Sequence, residues 1–397
     1  MNARHGSQPA HLRDINERVV YRAVRELRPI TRAEVARRTQ LSKPTVSLAL
    51  RSLQGAGLVT ESELQAIHSG QSGRTGRSGV LYEPVAQAAL AIGAELDVDV
   101  VRAALTDLDG NELDRCEVAH AAKSPADVFG ALSTAVSTLV NGRRRRRLRS
   151  IVVGSPGVID RTTGVLSQSG ALAVLDGSHP SSTLEAMLRV PVMVINDVDL
   201  AARGEQARGH GRSRTDFAVV SIGAGMGAAL VLDGQVYQGA RGGAGEIDDI
   251  PFRRLMRSPV PVSPALDGLV GLATVMAPRF RKTSLRAPYT ADTVFTAFDA
   301  GDRLASAVVE RLAEWTSWFS AAIVAVVDPE LIVLAGPIGA RKALADRVRS
   351  HLAQMLPVAP EVAVSELGAG SVIAGAIAVA SDHALQAALD ERGGRSA

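Results

Sequence analysis

A single cysteine, Cys116, stands in 397 residues, which excludes an internal disulfide and a cysteine-rich metal site. Apolar runs of about 18 residues are also missing, and the longest candidate, Phe319 to Leu334, is interrupted by Asp328-Pro329. The N-terminus lacks the apolar stretch of a secretory signal. The expectation is a soluble, cytoplasmic chain with no membrane partner. At 46% hydrophobic residues it can bury real cores, and its length predicts two or three domains. Net charge is only +3, but residues 1–82 carry 13 lysines and arginines against 6 aspartates and glutamates. That is an excess of seven positive charges, which leaves −4 for the rest. A small basic domain joined to a mildly acidic larger one suggests that the first meets a polyanion.

Ile15, Val19, Val20, Val24 and Leu27 fall at helical spacing, so Asp14 to Arg28 reads as an amphipathic helix ending at Pro29. Thr31 and Glu34 have the spacing of a capping box for a second helix, with Val35 and Ala36 on its apolar side. Ser42 caps a third, where Pro44 is tolerated because first-turn N–H groups have no intrahelical partner. Val46, Leu50 and Leu53 make one buried stripe there and leave Lys43, Thr45, Ser47, Leu48 and Arg51 outside it. Cations, hydroxyls and small side chains on one exposed helix face suit phosphates and base edges in a major groove. Gly55 to Val59 ends the helix and starts a strand. Gly70 to Gly79 reads as a wing or linker whose Arg74 and Arg77 can enter a minor groove.

From Leu90 the pattern becomes α/β, with strands at Ala91–Leu96, Val100–Leu105, Ile151–Val153 and Val192–Ile195. A second series has strands at Phe217–Ile222, Ala228–Leu232 and Leu331–Leu334 and a long helix from about Arg303 to Val326. Each series holds an Ile-Gly pair and an Asp-Gly turn, which suggests a duplicated lobe. Gly223 and Gly225, in Ser221 to Gly227, lie in a turn whose backbone N–H groups can approach phosphate or sugar oxygens. Leu304, Val308, Leu312, Trp315 and Phe319 form a helical stripe, so the tryptophans are expected in a core. The run Arg143–Arg147 reads as a solvated helix end, and His68, His179 and His210 lack partners at metal spacing.

The segments Thr31–Ala36, Leu41–Ser47 and Gly57–Val59, followed by Pro156–Asp160, Val194–Asp197 and Gly243–Ile247, resemble the ROK family of repressors and sugar kinases, which includes the N-acetylglucosamine and xylose repressors. The resemblance implies a winged helix-turn-helix over 1–82, then a two-lobed, actin-like, sugar kinase-like (ribonuclease H-like) domain. Its lobes would be 83–212 and 213–397, with the C-terminal helix returning to the first. It further implies a ligand cleft between the lobes, in which Asn196, Asp197 and Glu246 bond sugar hydroxyls and Asp197 stands where the kinases keep their base. Carboxylates and an amide suit polyols, because they accept from and donate to vicinal hydroxyls.

Several positions depart from that family pattern. Where ROK kinases hold phosphate with an acidic residue and Gly-Gly-Thr, this chain has Glu95-Leu96-Asp97-Val98-Asp99, whose carboxylates repel a polyphosphate. Ala224 replaces a phosphate-contacting threonine, and Ala335 to Gly339 replaces the later nucleotide segment. The zinc-binding histidine, which also contacts sugar, corresponds to Asp249. No cysteine follows it in Pro251 to Leu266, so no metal is expected. Asp267 and Ser169–Ala171 stand where two further sugar contacts are expected. The reading is a regulator, with no cofactor, that binds a palindromic double-stranded DNA operator as a homodimer or homotetramer and takes a small effector, a carbohydrate. The alternatives are a residual ATP-dependent sugar kinase and a regulator with a vestigial cleft governed by a protein partner.

Overall fold

A computed structural model of the chain describes residues 7–63, 79–247 and 262–393. Helix α1 runs Ser7–Leu27, beginning well before Asp14. Its buried face is Val20, Tyr21, Ala23 and Val24, whereas Ile15, Val19 and Leu27, expected in the apolar stripe, are exposed. At about 100° per residue, a face centred on Val20, Tyr21 and Val24 leaves Ile15 and Val19 on nearly the opposite side of the helix. Strand β1 is Ile30–Thr31 and helix α2 is Arg32–Thr39. The Thr31 hydroxyl accepts from the Glu34 N–H at 3.2 Å. The predicted reciprocal bond is replaced, because the Glu34 carboxylate accepts from Arg37 Nε at 3.2 Å. Ser42 Oγ caps α3, Lys43–Gly55, by accepting from the Thr45 N–H at 3.2 Å, and Pro44 sits in its first turn. Strands β2, Val59–Glu61, and β3, Leu81–Pro84, complete an antiparallel sheet in the order β1-β3-β2. Arg74 and Arg77 lie outside the described residues.

The next unit comprises β4 (Leu90–Leu96), β5 (Val100–Asp107), β6 (Glu112–Ala119), α4 (Pro125–Leu139), α5 (Gly142–Arg147) and β7 (Leu148–Ser155). It continues through the small ladder β8 (Val158–Ile159) and β9 (Leu166–Ser167) to α6 (Pro180–Leu188), β10 (Val192–Asn196) and α7 (Asp197–Arg208). A further unit has β11 (Phe217–Ile222), β12 (Met226–Leu232), β13 (Gln235–Tyr237), α8 (Leu266–Met276), α9 (Ala291–Asp299) and α10 (Arg303–Val327). It ends with β14 (Leu331–Ala335), α11 (Lys342–Met355), β15 (Glu361–Val364) and α12 (Ser371–Gly393).

Both units build a five-stranded sheet, in the orders β10-β7-β4-β5-β6 and β13-β12-β11-β14-β15. Numbered within each unit, both orders read 3-2-1-4-5, with the first three strands antiparallel and the last two added in parallel. The echo in the sequence is thus a duplicated topology. β6, with Glu112, Asp114, Arg115 and Glu117 on an exposed edge, carries too much charge to show as a strand in the sequence. The α10 stripe is buried as expected, Trp315 included. Helix α5 holds the arginine run, with Arg144 paired to Asp114 and Arg143 and Arg146 exposed.

One described helix, spanning Gly368–Glu391, is long and apolar enough to cross a membrane, unlike the Phe319–Leu334 run picked out in the sequence. More than half of it is buried. As α12 it covers the first sheet, where a Cβ on Gly93 of β4 would lie 2.7 Å from the Ile377 backbone nitrogen. It also crosses α7 at van der Waals limits. A Cβ on Gly375 would lie 1.8 Å from the Leu200 carbonyl oxygen, and one on Gly204 2.3 Å from that of Ser371. Glycine is therefore required at both positions. In the other direction α12 shares one apolar cluster with the N-terminal helices, joining Val20, Tyr21, Leu50 and Leu53 to Ala380, Ala384 and Leu389. Around this cluster lie the Arg18–Asp390, Arg25–Asp109 and Arg28–Asp109 pairs.

Gly375→Ala is expected to destabilise the protein by about 3 kcal/mol, since backbone cannot yield as a side chain does. Gly370→Ala, where an added Cβ meets nothing within 4 Å, is expected to stay within about 0.5 kcal/mol of the parent. Urea denaturation of the two variants compares them, and equal midpoints would refute the tight crossing.

Candidate functional site

The last residue of β10 and the first of α7 form the corner that the rest of the site surrounds. Asn196 caps α7, its Oδ1 accepting from the N–H groups of Val198 at 2.8 Å and Asp199 at 3.1 Å. Its Nδ2 donates to the Gly157 carbonyl at 3.1 Å. The amide is therefore engaged largely with backbone, fixing the 155–159 loop to the start of α7. Asp197 follows in the first turn, where its Oδ1 accepts from the Val198 N–H at 2.8 Å and its Oδ2 has no partner among the described residues. A carboxylate at a helix N-terminus is also favoured by the aligned peptide dipoles.

Three other segments close on this corner. Gly223 and Gly225 form the β11–β12 turn, held by Gly223 N–H to Gly225 O at 2.8 Å. The start of β12 touches α7 directly, because a Cβ on Gly227 would lie 3.2 Å from Val198 Cγ2. The loop carrying Glu246 is pinned on both sides, with a Cβ on Gly245 only 1.8 Å from Ala228 O and one on Gly242 2.3 Å from Ile159 O. Both glycines also have φ near +90° (92° and 91°), which disfavours any side chain there. The start of β12 thus touches both the first turn of α7, at Val198, and the loop that carries Glu246, at Gly245. Glu246 is half-buried, and Asp249 lies outside the described residues.

The end of β4 adds charge that the family motifs do not carry. Arg102 Nη1 binds Asp97 at 2.8 Å and reaches Glu95 at 3.5 Å. Burial pushes the Glu95 carboxyl up to about 7, opposed by Arg102 and reinforced by the charges of Asp97 and Asp197. Burial likewise raises Asp197 to about 6, against the hydrogen bond from Val198. The end of β4 therefore holds more carboxylates than cations and is suited to hydroxyls or amines, not to polyphosphate. Among the described residues no group of three or more His, Cys, Asp and Glu side chains could hold a metal ion.

At the other end of the molecule, α3 turns Val46, Ala49, Leu50 and Leu53 inward and exposes Lys43, Leu48 and Arg51. Lys43 and Arg51 have no ion-pair partner among the described residues. Thr45 Oγ1 lies 2.7 Å from Ser42 Oγ, and Ser47 Oγ donates to the Lys43 carbonyl at 2.8 Å. Arg32, at the start of α2, reaches Ser47 Oγ at 3.3 Å and so joins this face. Its position directly after the Thr31 cap is the signal that could have placed it there.

The ROK family profile matches residues 91–383. The chain is 31% identical over 339 residues to the Brucella suis biovar 1 "Bifunctional enzyme NanE/NanK", covering 76% of this chain and 62% of that one, so it spans less than two thirds of that relative. It is 24% identical over 339 residues to the Escherichia coli K12 "DNA-binding transcriptional dual regulator NagC", covering 82% and 81%. A crystal structure of a ROK family transcriptional regulator, a homologue of the E. coli MLC protein, superposes with a TM-score of 0.77 at 22% identity, over 96% of this chain and 99% of that one.

The raised carboxyls fix a pH dependence. Each binds its proton more tightly folded than unfolded, so its neutral form favours folding at acid pH. That contribution is lost as pH rises from the ordinary carboxylate range through about 6 for Asp197 and about 7 for Glu95. Asp197→Asn and Glu95→Gln are each expected to stabilise the protein by about 1–2 kcal/mol at pH 8 and to have little effect at pH 4. Thermal unfolding across that range reads both, and a pH-independent difference would contradict the assignment.

Proposed function

Since the chain belongs to the ROK family, we propose that it is a transcription regulator. In this reading residues 1–82 form a winged helix-turn-helix head, and a carbohydrate or carbohydrate derivative binds between two actin-like lobes, 83–212 and 213–397. The observation that carries it is α3, a helix capped at Ser42 and packed against α1 and α2 beside a three-stranded sheet, with Lys43 and Arg51, which have no ion-pair partner among the described residues, flanking exposed Leu48. Such a face offers cations to phosphates and an apolar contact to a thymine methyl. Arg74 and Arg77 would extend it into the minor groove. Two heads in a homodimer or homotetramer would read the halves of a palindrome about one or more DNA turns apart.

The effector binds in the cleft between the lobes. In this reading Asp197, Glu246 and Asp249 accept from sugar hydroxyls, and the backbone N–H groups of Gly223 and Gly225 approach its oxygens. An effector that binds the open and closed lobes unequally shifts the separation of the heads, and only that inequality regulates. Such a protein works in the cytoplasm, where its operator and effector meet. The second reading, ATP-dependent sugar phosphorylation, is favoured by Asp197 with its free oxygen. It is opposed by Glu95 and Asp97 where nucleotide phosphates would lie, and ADP release with hexoses and ATP tests it.

Selection of genomic DNA on the full-length protein, repeated with Lys43→Ala/Arg51→Ala, tests the leading reading. A palindrome enriched by the parent and lost from the variant is expected, and no enrichment by either would overturn the proposal. On the selected site, Lys43→Ala and Arg51→Ala are each expected to lower the slope of log K against log salt by about 0.9. Slopes equal to the parent's would remove both residues from the phosphate contacts.

A further inference from the structure

A cavity of about 360 Å³ opens beside the Asn196 corner, walled by the segment from β8 to Arg161, β10, α7, the β13–Gly242 segment and α12. Its volume is in the range of about 300–1,000 Å³ common for small-molecule sites. Its walls come from both sheet units, Arg161, Asp199 and Arg203 from the first and Gln238 from the second, with His383 of α12 at the rim. None of these five belongs to the cleft described above.

The hydrogen-bonding capacity of the cavity is lopsided. Asp199 is only 5% exposed. Its Oδ2 accepts from Gln238 Nε2 at 3.2 Å, while its Oδ1 has no partner among the described residues. Arg203 Nη1 donates to Gln206 Oε1 at 3.2 Å and Arg161 Nη1 to the Gly239 carbonyl at 3.1 Å. No other bond of these two guanidinium groups, and none of His383, is formed among the described residues. The cavity therefore presents two arginines and a histidine with donors to spare beside the open oxygen of buried Asp199. Guanidinium forks match the geometry of carboxylate and phosphate oxygens, and a buried carboxylate with an open lone pair matches a hydroxyl.

We infer that this cavity is a second ligand site that takes a small anionic polyol, whose phosphate or carboxylate lies among Arg161, Arg203 and His383 while a hydroxyl donates to Asp199. Burial raises the Asp199 carboxyl to about 6, so the site is already adapted to holding a proton or a donor there. Because both sheet units line the cavity, an occupant bridges them and biases their relative angle.

Isothermal titration of the full-length protein with glucose 6-phosphate, gluconate and neutral glucose tests the inference. At least one anionic compound is expected to bind, and the stronger of the two identifies the phosphate or the carboxylate as the preferred anion. Arg161→Ala, at the exposed rim, and Arg203→Ala are each expected to weaken it at least tenfold. Asp197→Asn, in the cleft, is expected to leave it within twofold. Arg203→Lys, which keeps the charge but loses the fork, serves if the alanine variant fails to fold. Absence of binding by both anions would overturn the site, as would binding that Asp197→Asn abolishes and Arg161→Ala leaves intact. Neither result bears on operator selection, so the regulator reading stands or falls separately.

Discussion

The crossing of α7 and α12 holds the architecture together. Two helices can approach until backbone meets backbone only where side chains are absent from both, and Gly204 and Gly375 meet that condition at one point. Each helix then serves the sheet unit on its own side. Ala201 and Ala202 of α7 pack on Phe217, Val219, Ala229 and Val231 of the second sheet, while Ala376 and Ala380 of α12 pack with Ala91 and Val152 of the first. Small residues at this layer keep the sheets close enough for the β10–α7 corner and the β11–β12 turn to touch. Without the crossing the cavity lined by Asp199, Arg203 and Gln238 would not have walls from both units.

Much of the fold was legible because its signals are local. Thr31 and Ser42 cap helices as their spacing predicts, the α10 stripe is buried as its periodicity predicts, and the strands that open each unit are continuous apolar runs. The illegible parts depend on partners. The face of α1 is decided by α3 and α12, which lie far away in sequence, so Ile15 and Val19 looked like core and are not. Glu34 could bond back to its cap or forward to Arg37, and pattern alone cannot choose between them.

The site shows the same division. The residue types at 196, 197, 223, 225 and 246 stand out as motifs, and the structure sets the start of β12 against both the α7 corner, at Val198, and the loop that carries Glu246, at Gly245. What spacing could not reveal is that the Asn196 amide chiefly braces Gly157 and the α7 N-terminus, leaving Asp197 as the side chain with a free acceptor. Asp199, two residues on, points to the other side of the same helix, and its partner Gln238 arrives from a distant hairpin. A cavity assembled from five elements leaves no motif in the sequence.

The N-terminal helices are packed against the rest of the chain. Tyr21 is 1% exposed in a cluster that runs without a break into α12, and Arg25 and Arg28 grip Asp109 beside it. Heads joined by flexible linkers can be exchanged between proteins as cassettes. This one cannot, because a chimaera that transplanted residues 1–82 alone would leave an apolar scar on both pieces, and the minimal transferable cassette includes the outward side of the last helix.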